Sequence, residues 1–180
     1  MPVKQSATLD SSFWINAYRA GLLPYVLARY RLFYAPAVAG EIKLEFASGR
    51  QFWTLVAEGV LAGAVPQVLG FTEYGEGERA AITLALEHRD WVLLIDDRRP
   101  LVAAQKLGVT VVCTPVLVVR LFAEGALTLS KTLEALNELA RLHTVSPALL
   151  TAAAGQLEIL AREQRRTRYG DQETDDLRPA

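Results

Sequence analysis

The chain has a single cysteine, Cys113, and only two histidines, His88 and His143, which lie far apart. One cysteine excludes an intramolecular disulfide and any CxxC metal knuckle, and two distant histidines give no zinc-ligand spacing. Positive charge is not in excess either. Lys and Arg number 19 against 20 Asp and Glu, for a formal net charge of -1. That argues against a basic coat for nucleic acid but leaves room for a local basic groove, because potential depends on where charges sit. No stretch reaches the roughly 18 uninterrupted apolar residues that a membrane span needs, and the N-terminal MPVKQSATLD has no apolar h-region. There is no internal repeat. A cytoplasmic protein with no membrane contact is the expectation.

What is present points to one well-buried domain. Of the 180 residues 51% are hydrophobic and 22% charged, enough for a compact core and too short a chain for two large ones. A first strand is expected at Gln5 to Leu9, with Asp10 at its end. Ser11 or Ser12 would then cap a helix carrying Phe13, Trp14, Ile15 and Tyr18. Gly21 interrupts it, and residues 22–30 continue as helix. RLFYA at 31–35 reads as a second strand, and Pro36 suits the first turn of a helix carrying Val38, Glu41, Ile42 and Leu44. Residues 51–63 look helical, and Pro66 to Phe71 a strand. The loop EYGEGE leads into a helix from Glu78 to about His88. A strand at 91–95, a helix near 100–107 and a last strand at 109–113 follow. This alternation implies an α/β fold with a mostly parallel sheet covered on both faces.

From Pro115 the pattern is helical only, with amphipathic spacing over 127–142 and 147–166. The expected organisation is a domain over 1–126, a C-terminal helical extension over 127–167 packed on or beside it, and a disordered polar tail over 168–180.

The stretch VLLIDDRRP, Val92 to Pro100, poses the functional question. Its apolar run ends in two adjacent carboxylates. Ligands bind outside the carboxyl ends of parallel strands. Asp10 ends one candidate strand, and Asp96 and Asp97 another. Glu41 and Glu78 lie on helices that could start or run near the same edge, and Glu78 shares its helix face with apolar Ile82 and Ala85, which points it inward. Converging carboxylates repel and are driven to protonate unless a cation joins them, and an all-oxygen site suits magnesium or manganese. The plainer reading is that acids at strand ends and helix starts simply solvate turns. Spacing alone leaves both open.

The order of motifs resembles the PIN-domain family, specifically its branch of prokaryotic nucleic-acid-binding proteins. The resemblance runs through TLDSS at 8–12, AYRAGLL at 17–23, APAVAGEI at 35–42, GERAAITLA at 77–85, VLLIDDRRPLVAAQKLGV at 92–109 and CTPVLVVRLFAEGAL at 113–127. The late segments LTLSKTLEALNEL and HTVSPALL fit as well. The resemblance implies a PIN-like three-layer fold. It also implies a Mg2+- or Mn2+-dependent nuclease, usually a ribonuclease hydrolysing RNA. Carried over, the four acids are Asp10, Glu41, Glu78 and Asp97, with Asp96 retained as the other candidate ligand. Asp97 is preferred because the related pattern places its acid two residues after a threonine, here Ile95. Ser12 and Thr114 match hydroxyl positions that orient a carboxylate or a water. Such proteins are often toxins of a toxin–antitoxin pair and often dimers, so a small antitoxin protein and a second copy are implied partners. The sequence departs from the branch at Leu101, where an arginine is common, and at Cys113, where a glycine is.

Arg98 and Arg99 are candidate phosphate contacts, since arginine suits phosphate, although cations beside an acidic pair also serve simply to lower repulsion. Lys43, Arg50 and Lys106 are weaker candidates for a backbone groove. Trp14, Trp53 and Trp91 are expected in the core rather than on bases, and Cys113 as an inert buried thiol. Arg162, Arg165, Arg166 and Arg168 form a basic end to the last helix. Two other functions compete with the nuclease. One is a non-catalytic PIN-fold module that binds RNA or a protein, and the other a different magnesium-dependent phosphoryl-transfer enzyme.

Overall fold

The computed structural model describes residues 3–68 and 70–175, with side chains to residue 166. Five short strands form one wholly parallel sheet: β1 (Gln5–Leu9), β2 (Tyr30–Tyr34), β3 (Leu61–Gly63), β4 (Val92–Leu94) and β5 (Thr110–Val112). Their order across the sheet is β3-β2-β1-β4-β5. The chain thus builds outward from β1 on one side, then returns to add β4 and β5 on the other. β1 is the central strand, and the crevice between the ends of β1 and β4 is a topological switch point.

The helices that connect and cover these strands are α1 (Ser11–Arg19), α2 (Leu23–Arg29), α3 (Pro36–Glu41), α4 (Ala47–Ala57), α5 (Glu76–Glu87), α6 (Arg98–Lys106) and α7 (Thr114–Ala123), followed by α8 (Leu129–Leu142) and α9 (Pro147–Asp175). Alternation along the strands sorts them into two layers. Ala7, Leu9, Leu32, Val92, Leu94 and Val112 point to one face, where α1, α7, α8 and α9 close over them with Trp14, Leu117, Leu139 and Leu157. Leu93 and Ile95 point to the other, against Ala81, Ile82 and Ala85 of α5 and Leu101 and Ala104 of α6. The C-terminal helices therefore share the main core with the sheet. The expected tail from residue 168 falls, in its side chains and entirely beyond Asp175, outside the described residues.

Three local expectations are corrected. The cap of α1 is Asp10 rather than Ser11 or Ser12. Asp10 takes the extended backbone a cap requires and accepts the Phe13 N–H at 2.9 Å, while both serines are already helical. The helix expected over 51–63 starts earlier and stops at Ala57. Gly59, at φ 70°, turns the chain in the left-handed region, with Gly59 N–H on the Val56 carbonyl and Val60 N–H on that of Leu55. This Schellman ending releases Leu61–Gly63 to pair with β2. Among the described residues no strand forms at the expected Pro66 to Phe71, since Leu61–Gly63 already takes that sheet edge. Val65 and Val68 are exposed in a loop pinned by the Glu87 carboxylate on the Gln67 N–H at 2.8 Å.

Because α8 belongs to the same core, Leu139→Ala, which empties a fully buried site, should cost about 2–5 kcal/mol. Urea unfolding followed by circular dichroism and by tryptophan fluorescence should still give one coincident transition. An early separate loss of helix would show that the extension folds independently.

Candidate functional site

Leu9 and Leu94 are paired across β1 and β4, and the Asp10 N–H continues the ladder to the Leu94 carbonyl at 3.0 Å. The acids that follow the two strands therefore leave the sheet side by side. Asp10 is 2% exposed and Asp96 fully buried. Asp10 accepts from Phe13 N–H at 2.9 Å and from the Ser12 hydroxyl at 2.6 Å. Burial nevertheless pushes its carboxyl up to about 8, and the neighbouring charges of Asp96 and Glu78 add to the rise against those hydrogen bonds.

Asp96 is held from three sides. Thr114 donates its backbone N–H at 2.7 Å and its hydroxyl at 2.8 Å, and Asn16 donates its side-chain amide at 2.7 Å. Burial still raises the carboxyl, with these three donors working the other way. Asp97 is different. It is exposed, caps α6 by accepting the Arg99 N–H at 2.9 Å, and its second oxygen takes no hydrogen bond from the described residues. The alternation that sends Leu94 to one layer and Ile95 to the other continues past the strand. Asp96 faces α1 and α7, and Asp97 acts on Glu78 of α5.

Glu78 is half-buried near the start of α5 and accepts the Gly75 N–H at 3.1 Å. Burial raises its carboxyl, and the charges of Asp97 and Glu41 raise it further, while the Gly75 bond and Arg99 oppose them. Glu41, at the end of α3, lies on the N-terminus of α5. It accepts the Gly77 N–H at 3.1 Å and the Ser11 hydroxyl. A Cβ on Gly77 would stand 2.6 Å from the Glu41 Oε1, so glycine is what lets the carboxylate reach the helix end.

The remaining candidates sort by distance from this edge. Arg98 and Arg99 open α6 beside Asp97. With Tyr74, Val102, Ala103 and Lys106 they line a groove of about 380 Å³. None of these three cations forms an ion pair with the described residues. Lys43 and Arg50 instead clamp their own loop, on the carbonyls of Gly40 and Glu45 at 3.2 and 2.7 Å. Trp14 is fully buried and donates to the Ser48 carbonyl, Trp53 is half-buried and donates to that of Ile42, and Trp91 stacks between Phe33 and His88. Burial pushes the Cys113 thiol up to about 11, which makes it unreactive. Leu101 is buried in the core beneath α6.

Four residues of this site escape a reading of spacing. Asn16 carried a signal, being a polar side chain on the buried face of α1 with Phe13 and Ala17. Ser11 and Gly77 matter only because α3 meets α5, and Thr144, which donates to Asn16 at 2.6 Å, lies 128 positions away in sequence.

Whether these residues suit a hard divalent cation is a matter of donors and charge. Among the described residues, no three of His, Cys, Asp and Glu are gathered closely enough to cage an ion as they stand. The donor set does suit one in chemistry. It is all oxygen, and Asp10 and Glu78 are each driven toward protonation by burial and further by neighbouring acids, a cost that a bound cation would relieve.

The sequence matches the family described as a PIN domain over residues 7–159. Among solved structures, that of the PIN domain endonuclease Utp24 is similar to this chain with a TM-score of 0.46 and 12% identity. That likeness covers 61% of this chain and 84% of that one. No curated protein matches the chain.

The Asp10 shift fixes the sign of a pH dependence. Its carboxyl is raised in the fold from an unfolded value near 4, so between about pH 4 and pH 8 the native state holds a proton that the unfolded chain has lost. Stability of the metal-free protein should therefore fall as pH rises through that window, and Glu78 and Asp96 act in the same direction. Chemical denaturation in EDTA from pH 4.5 to 8.5 should show that decline. It should be shallower in Asp10→Asn, and Mn2+ should offset it only in the parent protein. A flat profile would mean that Asp10 is not desolvated as described.

Proposed function

The chain belongs to the PIN-domain family, and we propose that it is a metal-dependent endoribonuclease, cutting RNA phosphodiester bonds with a carboxylate-held Mg2+ or Mn2+ ion. The observation that carries this reading is the emergence of acids from adjacent parallel strands at the switch point, coupled by charge to Glu78 on α5. Asp10, Glu41, Glu78 and Asp97 would hold the ion. Asp97 is favoured over Asp96 as a ligand because it is exposed and one of its oxygens takes no donor among the described residues, whereas both oxygens of Asp96 already take protein donors. When bound, the ion supplies Lewis acidity toward a water and a phosphodiester oxygen.

The chain's own residues do the rest. Ser12 and Phe13 N–H fix the orientation of Asp10, and Ser11 with Gly77 N–H fixes that of Glu41. Arg98, Arg99 and Lys106, which form no ion pair among the described residues, line a groove along α6, the helix that follows Asp97, where they would take the phosphates of a strand entering the acid edge, with Tyr74 beside them for a base. Their charge matters more in a chain of net charge -1, whose acidic edge by itself repels a polyanion. A role as the toxin of an antitoxin-controlled pair, acting as a homodimer, is proposed as the setting for this activity.

A binding module without catalysis is the competing reading, favoured by the full occupation of Asp96 and by the absence of a ready cage among the described residues. Incubating purified protein and Mn2+ with labelled RNA separates them. Cleavage that stops in EDTA and drops at least about 100-fold in Asp10→Asn and Asp97→Asn supports the nuclease, a loss on the scale expected when a metal-held reaction loses a ligand. No cutting of RNA or DNA, with RNA bound equally well after the acids are removed, supports the module. Hydrolysis of a phosphomonoester but no polynucleotide would indicate a different phosphoryl-transfer enzyme.

Substituting the groove gives an independent check. Arg98→Ala and Lys106→Ala should each weaken RNA binding across sequences. Each should also lower the slope of log affinity against log salt by about 0.7 for every single-strand phosphate that is no longer neutralised. An unchanged slope would remove the groove from the substrate path.

A further inference from the structure

Asn16 is 1% exposed and carries a polar amide in the layer otherwise filled by Phe13, Trp14 and Ala17. Both ends of that amide are used. Its Nδ2 donates to Asp96 Oδ2 at 2.7 Å, and its Oδ1 accepts from the Thr144 hydroxyl at 2.6 Å. Thr144 belongs to the turn between α8 and α9, so the C-terminal extension reaches the acid edge through one intervening side chain.

We propose that Thr144 is a positioning residue for the acid cluster, acting through Asn16 to hold Asp96, so that the C-terminal extension is part of the framework of the site. This rests on the nuclease reading for its consequence, though not for its geometry.

An amide has one donor end and one acceptor end. Turned over, Asn16 would set its carbonyl against the Asp96 carboxylate and its NH2 against Thr144. A hydroxyl that donates to Oδ1 favours the orientation in which Nδ2 faces Asp96. The turn itself is built to deliver that hydroxyl. His143 ends α8 in the left-handed region at φ 53°, a position where glycine is the usual residue. Val145 on the other side is 3% exposed and joins the main core. Thr144 is thus set between a strained residue and a buried one. Asp96 in turn is adjacent to Asp97 and faces the charge of Asp10. Any rotation of its carboxylate moves the neighbours of both.

The test uses the full chain. Thr144→Val keeps the side-chain shape and removes the donor, and Thr144→Ser restores the donor. In metal-free, isotope-labelled protein, Thr144→Val should shift the Asn16 side-chain NH2 resonances. It should also shift the backbone amide of Thr114, which donates to the opposite oxygen of Asp96 at 2.7 Å. Thr144→Ser should return both toward the parent positions. Mn2+ affinity, read by electron paramagnetic resonance, should fall roughly 10–100-fold in Thr144→Val and recover in Thr144→Ser, as expected for a residue behind a metal-site carboxylate. A Thr114 amide that does not move in Thr144→Val, or a serine variant that restores nothing, overturns the proposal. If the parent protein neither binds Mn2+ nor cuts RNA, the nuclease reading falls, while the Thr114 amide still decides whether Thr144 positions Asp96.

Discussion

Two parallel strands in register release their carboxylates at the same place. Leu9 and Leu94 pair across β1 and β4, so Asp10 and Asp96 emerge as neighbours from a sheet covered on both faces. Unscreened carboxylates buried at that depth cost several kcal/mol unless they are bonded or protonated. Much of the surrounding structure answers that constraint. The first turn of α1 bonds Asp10, and the start of α7 and a buried amide bond Asp96. Even so, both carboxyls remain pushed toward protonation, with burial the largest cause. An edge left in that condition would be stabilised by a cation, and that links the fold to the proposed chemistry.

The donors that answer the constraint come mostly from helix N-termini. Asp10 and Asp97 each cap the helix that follows them, Glu78 folds back on the first turn of its own helix, and Glu41 lies on that same end from another element. Unpaired N–H groups at helix starts favour negative charge. A parallel α/β sheet gathers such starts on the edge where its strands end. The acids and the groups that tolerate them are brought together by one topology.

That topology was legible in the sequence because alternating strands and helices carry distinct periods. Asp10, Glu41, Glu78 and the Asp96–Asp97 pair were visible as acids ending strands or riding helices beside them. The misreadings arose where local pattern competes with tertiary pairing. Pro66 to Phe71, with Val68 in it, looks like a strand, but a three-residue stretch, Leu61–Gly63, held the place beside β2 after Gly59 stopped α4. A strand that short has no period of its own to detect. Gly77 was illegible as a site residue because its importance is a missing Cβ opposite a carboxylate 36 positions earlier in sequence. Thr144 was illegible because the partner of its hydroxyl, Asn16, lies 128 positions away in sequence.

The adjacent aspartates show how two identical residues come to differ. Successive residues of an extended segment face opposite layers. Asp96 continues the face of Leu94 and meets α1 and α7, where Asn16 and Thr114 saturate it. Asp97 continues the face of Ile95, caps α6 and meets the field of Glu78 from α5, with one oxygen taking no donor among the described residues. The inner acid is committed to joining β4, α1, α7 and the α8–α9 turn, while the outer acid remains available. Exchanging their roles would require the strand to slip by one residue, which would turn Leu93, Leu94 and Ile95 into the wrong layers. The apolar register of β4 therefore selects which carboxylate faces solvent, and the packing of VLLI is as much a determinant of the site as the acids that follow it.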